Sequence, residues 1–169
     1  MNAFALLLAA AFLLWPYESR ADWEYTTYGM TADEIVAASA GKAWKLSGAE
    51  QQNMSTAFAT AIAASTHETG PFNFAVIFFA DKGGSQLGTV RLNLKSQDEF
   101  QTRAQVEELR NALTGKYGQP LGNQVEQSQF FTTTQWNWQG ESDNILLKYL
   151  DGINSAWVEY TQLLKNLDL

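Results

Sequence analysis

Hydrophobic and polar positions along this chain change period several times, and each change predicts an element. Trp23, Tyr25 and Thr27 alternate with Glu24, Thr26 and Tyr28, a two-residue period rich in aromatic and β-branched side chains that predicts a strand. Thr31-Ala32-Asp33-Glu34 then forms a capping box, and Ile35, Val36, Ser39 and Ala40 supply one inward helix face, closed by Gly41. Lys42 to Gln52 carries no clear period and reads as a loop anchored by Trp44 and Leu46. From Met54 to Ala64 both periods fit; the alternation of Phe58, Thr60 and Ile62 with alanines favours a strand. After the Gly70-Pro71 break, Phe72 to Ala80 is apolar on both faces, as a central strand must be. Leu87 to Leu94, beyond the Asp81-Lys82-Gly83-Gly84 turn, is a half-buried partner.

The period turns helical again from Gln97 to Lys116, where Phe100, Val106, Leu109, Leu113 and Tyr117 fall on one side and Gly118 with Pro120 ends the run. Phe130, Thr132, Thr134, Trp136 and Trp138 then share strand parity, followed by Ile145 to Leu150 and Ala156 to Tyr160, with a short helix expected over Leu163 to Leu169. Strand, helix, three strands, helix, three strands is the pattern of an α+β domain: an antiparallel sheet with two main helices on one face, and a possible duplication of a helix-plus-three-strand unit.

The N-terminus changes the picture. Ala3 to Trp15 is an unbroken apolar run, followed by Pro16 and Ser19-Arg20-Ala21, with small residues where a signal peptidase reads. At about 1.5 Å per residue that run spans roughly 20 Å, short of the roughly 30 Å hydrocarbon core. Residues 1–21 are therefore expected to be a signal peptide, cut between Ala21 and Asp22, and residues 22–169 a single domain. Cysteine is absent, which removes disulfides, thiol chemistry and a lipidated cysteine anchor, so the domain must be held by its core. A formal charge of −7 argues against nucleic acid and favours basic partners.

Two stretches carry a resemblance. Trp23 to Ile35, an aromatic segment running into Gly29-Met30-Thr31 and a capped helix, together with Tyr117-Gly118-Gln119-Pro120 before a Trp-bearing strand and Tyr160 near the end, is similar to small exported bacterial proteins of unknown function. More distantly, the helix-and-meander order resembles outer-membrane assembly lipoproteins and β-lactamase-inhibitor proteins. The chain lacks the cysteines of both. The resemblance implies a fold and assigns no catalytic residue.

Candidate chemistry is sparse. His67, the single histidine, lies in a polar stretch before Gly70-Pro71 and reads as a solvated loop imidazole. No Gly-x-Ser-x-Gly elbow is present, and Gly41-Lys42 and Gly83-Gly84-Ser85 read as a helix end and a hairpin rather than a phosphate cradle. No spaced Asp/Asn run suits calcium, and Glu107-Glu108, Glu126, Glu141 and Asp143 read as solvated acids. No cofactor or metal motif is found. What remains is aromatic: Phe130, Trp136 and Trp138 form either an exposed platform for a partner or part of the core, while Trp23, Trp44 and Trp157 read as core.

These readings favour a non-enzymatic exported protein, periplasmic or secreted, that binds another envelope or secreted protein, or a glycan, through a sheet face or edge, without a permanent membrane span or lipid anchor. An acidic inhibitor of a basic hydrolase such as lysozyme comes second. Ser47-Gly48-Ala49-Glu50 resembles one inhibitor family's Ser-Gly-x-x-Tyr loop, but Gln51 stands in the tyrosine's place. A carboxylate-dependent hydrolase comes third.

Overall fold

The computed structural model describes residues 23–96 and 98–163. Three helices pack with one eight-stranded antiparallel sheet, confirming the α+β class. In chain order these are α1 (Ala32–Ala38), β1 (Ala43–Lys45), α2 (Gly48–Met54), β2 (Ala59–Thr69), β3 (Phe72–Asp81), β4 (Leu87–Leu94), α3 (Glu99–Tyr117), β5 (Gly122–Gln127), β6 (Thr132–Gln139), β7 (Asp143–Asp151) and β8 (Ser155–Gln162). The sheet order is β1-β2-β3-β4-β8-β7-β6-β5, so two four-stranded meanders meet through their last strands, and the order reads alike from either edge.

Alternation decides which face each strand buries. Phe74, Val76 and Phe78 of β3, Val90 and Leu92 of β4, Trp136 and Trp138 of β6, and Ile145 and Leu147 of β7 form one core with Ile35 of α1 and Val106, Leu109 and Leu113 of α3. The helices α1 and α3 thus cover one face, as expected. On the other side a smaller cluster joins Leu46, Ala61, Ala64 and Phe79, which is why β3 is apolar in both directions.

Several elements differ from the expectation. Trp23–Tyr28 is not a strand. Thr26 donates both its backbone N–H and its hydroxyl to the Trp23 carbonyl, closing a turn that buries Trp23, Thr26 and Tyr28. This segment docks through Gly29 N–H to Leu87 O and Leu87 N–H to Met30 O, at 2.9 and 2.7 Å. The expected loop over 42–52 contains β1 and α2; Ser47 and Glu50 cap α2 reciprocally, as Thr31 and Glu34 cap α1. Met54 ends α2, and β2 begins only at Ala59, leaving Phe58 exposed. β2 runs to Thr69 and carries His67 within it. Phe100 points to solvent at 86% exposure, in the first turn of α3, whose buried face begins at Thr102. Trp44 is exposed on the short edge strand β1. Trp157 is half-buried on the sheet face opposite the helices, with the Arg91 guanidinium 5.4 Å and the Lys148 ammonium 5.6 Å from its ring centre. Each meander has four strands rather than three, because β1 and β5 lack an apolar face that sequence reading could find. β8 extends to Gln162, and the helix expected further on falls largely outside the described residues.

Candidate binding edge

The sheet ends on β5, and this strand owes its existence to its neighbours rather than to its own side chains. Gly118 at φ +84 and Pro120 stop α3, and the chain returns beside β6 with six consecutive residues paired, Gly122 against Asn137 through Gln127 against Thr132, without a bulge. All six residues of β5 are exposed. No described strand pairs with its outer side. Leu121, at 73% exposure, precedes the strand, and Val125, at 61%, lies within it.

The turn into β6 is built by Ser128. Its hydroxyl accepts from the N–H groups of Phe130 and Phe131 at 3.3 and 3.1 Å and donates to the Phe131 carbonyl at 2.7 Å. That geometry turns Phe130 outward, at 78% exposure. Gly152 of the β7–β8 turn closes in from the other side: at φ +99, a Cβ placed on it would stand 3.1 Å from the Phe130 carbonyl oxygen. Between them lies a cleft of about 250 Å³ lined by residues 127–132, Asp151 and Gly152. Asp151 is held in place by the Tyr149 hydroxyl at 3.0 Å and by Arg103 of α3 at 3.2 Å. Burial, opposed by the Arg103 contact, holds the Tyr149 phenol above its ordinary pKa.

Phe130, Trp136 and Trp138 do not form one surface. Trp136 and Trp138 project from β6 toward α3, with Trp138 only 1% exposed and its Nε1–H donating to the Gly118 carbonyl at 3.1 Å, at the end of α3. The Arg110 guanidinium lies 5.8 Å from the Trp136 ring centre. Both tryptophans are core. Phe130 alone is exposed, and it sits in the turn before β6 rather than on the strand. Ala21 and Asp22 lie outside the described residues.

No family model, curated protein or solved structure matches this chain.

Two polar sites that sequence reading treated as solvated are packed instead. Asp143 is fully buried and accepts hydrogen bonds from the Tyr28 hydroxyl and, at 3.0 Å, from the Ser142 hydroxyl. Tyr160 stands in the same region, and burial pushes its phenol far above the ordinary range, with Tyr117 adding to the effect. His67 Nδ1 lies 2.8 Å from Glu24 Oε1, and the imidazole packs against Trp23 and Phe74. Glu24 itself has φ +48, a left-handed backbone that a glutamate adopts only when its surroundings hold it there. Both contacts tie the 23–30 segment to the sheet, Tyr28 at one point and Glu24 at another. Glu107 pairs with Arg110 at 2.6 Å on the surface of α3, and Glu126 and Glu141 are exposed. Among the described residues no three of His, Asp and Glu gather into a group able to hold a metal ion.

What the β5 edge can do chemically follows from its free side. A strand with one side unpaired presents backbone donors and acceptors at a fixed repeat, a pattern matched by another extended backbone. Its only signal in the sequence is negative, a six-residue window with one aliphatic side chain between Pro120 and the Ser128 turn.

Proposed function

We propose that this protein is a non-enzymatic, exported binding protein that takes up an extended segment of another envelope or secreted protein as an additional strand along β5. The observation that carries the reading is the edge itself: six regularly paired, exposed residues with no described partner on the outer side. Sheet edges are ordinarily blunted by lysine, proline, bulges or brevity. Within β5 there is no lysine, no proline and no bulge. Exposed Val125 lies within the strand, exposed Leu121 precedes it and exposed Phe130 follows it, and large exposed apolar side chains in one region mark interaction surfaces.

The rival readings lose their footholds. Ser47 and Glu50 are engaged with each other as a helix cap, so the segment lends the inhibitor reading nothing. Asp143 is committed to Tyr28 and Ser142, and Glu107 to Arg110, so neither of these acids supports the hydrolase reading.

The test is capture from envelope and culture fractions, followed by amide hydrogen exchange on the complex. A defined protein that slows exchange across residues 122–127, and is lost on Val125→Lys, supports strand addition. A partner that binds Val125→Lys equally well and leaves those amides exchanging freely refutes it. Val125 is exposed, so the variant keeps its fold, which circular dichroism checks.

A further inference from the structure

Strand addition along β5 leaves open what the added segment carries, and the charge around the edge narrows it. Resting on that reading, we propose that β5 accepts a basic segment in which lysine or arginine alternates with apolar residues, the cations facing Glu126 and the apolar residues facing Val125.

The register assigns the two sides. Val125 pairs with Thr134 and Asn123 with Trp136, and Trp136 faces the helices, so Val125 and Asn123 share the α3 face. Glu126, opposite Thr133, and Gln124, opposite Gln135, lie on the other face. Gln124 is already engaged by the Gln135 amide, whereas Glu126 is exposed and has no described partner. An incoming strand in register must place every second residue beside Val125 and the residues between them beside Glu126.

The wider charge pattern agrees. No lysine or arginine occurs from Tyr117 to Leu147, which includes all of β5 and β6. The cations closest in sequence are occupied: Arg110 pairs with Glu107, and the Lys116 ammonium lies 4.7 Å from the Tyr117 ring centre. Natural edges commonly carry lysine, which repels a second lysine-bearing strand; here the edge carries a lone carboxylate, and the chain as a whole is at −7. A basic strand is therefore attracted at long range by the net charge and placed at short range by Glu126.

The experiment uses the purified protein and four end-capped, fluorescein-labelled hexapeptides: alternating Lys-Val, alternating Glu-Val, a block peptide of three lysines then three valines, and alternating Lys-Val with N-methylated valines. The alternating Lys-Val peptide is expected to bind about five- to tenfold tighter than Glu-Val, as an exposed attraction exchanged for a repulsion should. Glu126→Gln narrows the difference to what the remaining net charge supplies, and Glu126→Lys narrows it further; both change an exposed side chain. The block and N-methylated peptides bind weakly, since one loses the alternation and the other the backbone donors. Equal binding of Lys-Val and Glu-Val, unchanged by Glu126→Lys, overturns the basic-segment proposal and leaves strand addition standing. Equal binding of the block peptide reduces the effect to charge attraction and overturns the proposal too. If neither alternating peptide binds, strand addition falls and takes this inference with it.

Discussion

Replacing Tyr28 by phenylalanine removes one oxygen and little else, which makes it a sensitive probe of how the N-terminal segment is held. The Tyr28 hydroxyl donates to the carboxylate of Asp143, a residue with no solvent exposure, whose other described side-chain donor is the Ser142 hydroxyl. In the folded variant that buried carboxylate loses a donor, whereas in the unfolded chain the parent and variant carboxylates are equally hydrated. A hydrogen bond to a charged group contributes about 1.5–3 kcal/mol, so Tyr28→Phe should cost that much. For a chain of this size the loss corresponds to a fall in Tm of roughly 3 to 12 °C. Urea denaturation followed by tryptophan fluorescence measures it, with the m value expected to stay constant because the surface exposed on unfolding is unchanged. Asp143→Ala, which removes the acceptor, completes a double-mutant cycle in which the pair should show about 1–2 kcal/mol of coupling. A loss below about 0.5 kcal/mol, or single effects that add to within about 0.3 kcal/mol, would show that the contact holds nothing and that the segment is fixed by Trp23 and the Leu87 ladder alone.

Further outcomes follow from other contacts. Trp138→Ala empties a fully buried site and removes the donor to the Gly118 carbonyl, so it should destabilise by about 3–5 kcal/mol in the same denaturation assay. Gly152→Ala forces a side chain toward the Phe130 carbonyl at a positive φ and should cost about 1–3 kcal/mol, accompanied by faster amide exchange in the 128–131 turn. Glu34 and Glu50 are held below the ordinary carboxylate pKa, Glu34 first by the Thr31 N–H and Glu50 first by the Ser47 hydroxyl. A depressed folded pKa stabilises above the unfolded value and loses that contribution as pH falls through the folded one. Glu34→Gln with Glu50→Gln should therefore lower stability at neutral pH and flatten its decline on acidification below the usual glutamate range, as read from thermal melts across that range.

Legibility in the sequence depended on whether a strand buries one face. β3, β4, β6, β7 and β8 could be read because Val76, Val90, Trp138, Leu147 and Val158 alternate with polar or half-buried neighbours. β5 could not, since no residue in it is buried and period two needs a contrast. Thr31 and Glu34 announce the cap of α1, yet the same spacing at Ser47 and Glu50 does not by itself announce a helix, because the seven-residue α2 buries none of its side chains and so has no apolar stripe to confirm it. Residue type alone puts His67 and Asp143 in solvent, and only tertiary packing shows that each meets a partner distant in sequence, Glu24 and Tyr28. The aromatic stripe failed as a surface for a related reason: shared parity cannot say which side of a sheet the helices cover. The candidate edge was legible only as a general possibility of edge binding, since an unpaired backbone leaves no mark on side-chain pattern.

The meeting of the two meanders through β4 and β8 has a kinetic consequence. Every ladder among named strands joins strands adjacent in sequence except this one, which brings Thr89 beside Thr161, about seventy positions away. Local hairpins close quickly, whereas a distant pairing must first overcome the entropy of a long loop. Val90, Leu92, Val158 and Tyr160, which line the joint's helix-facing side, are therefore the positions where substitution should slow folding, whereas changes at β1 or β5 should act mainly on the rate of unfolding. The slowest step in folding is therefore expected to be the closing of the sheet's centre, and the β5 edge should add nothing to that barrier.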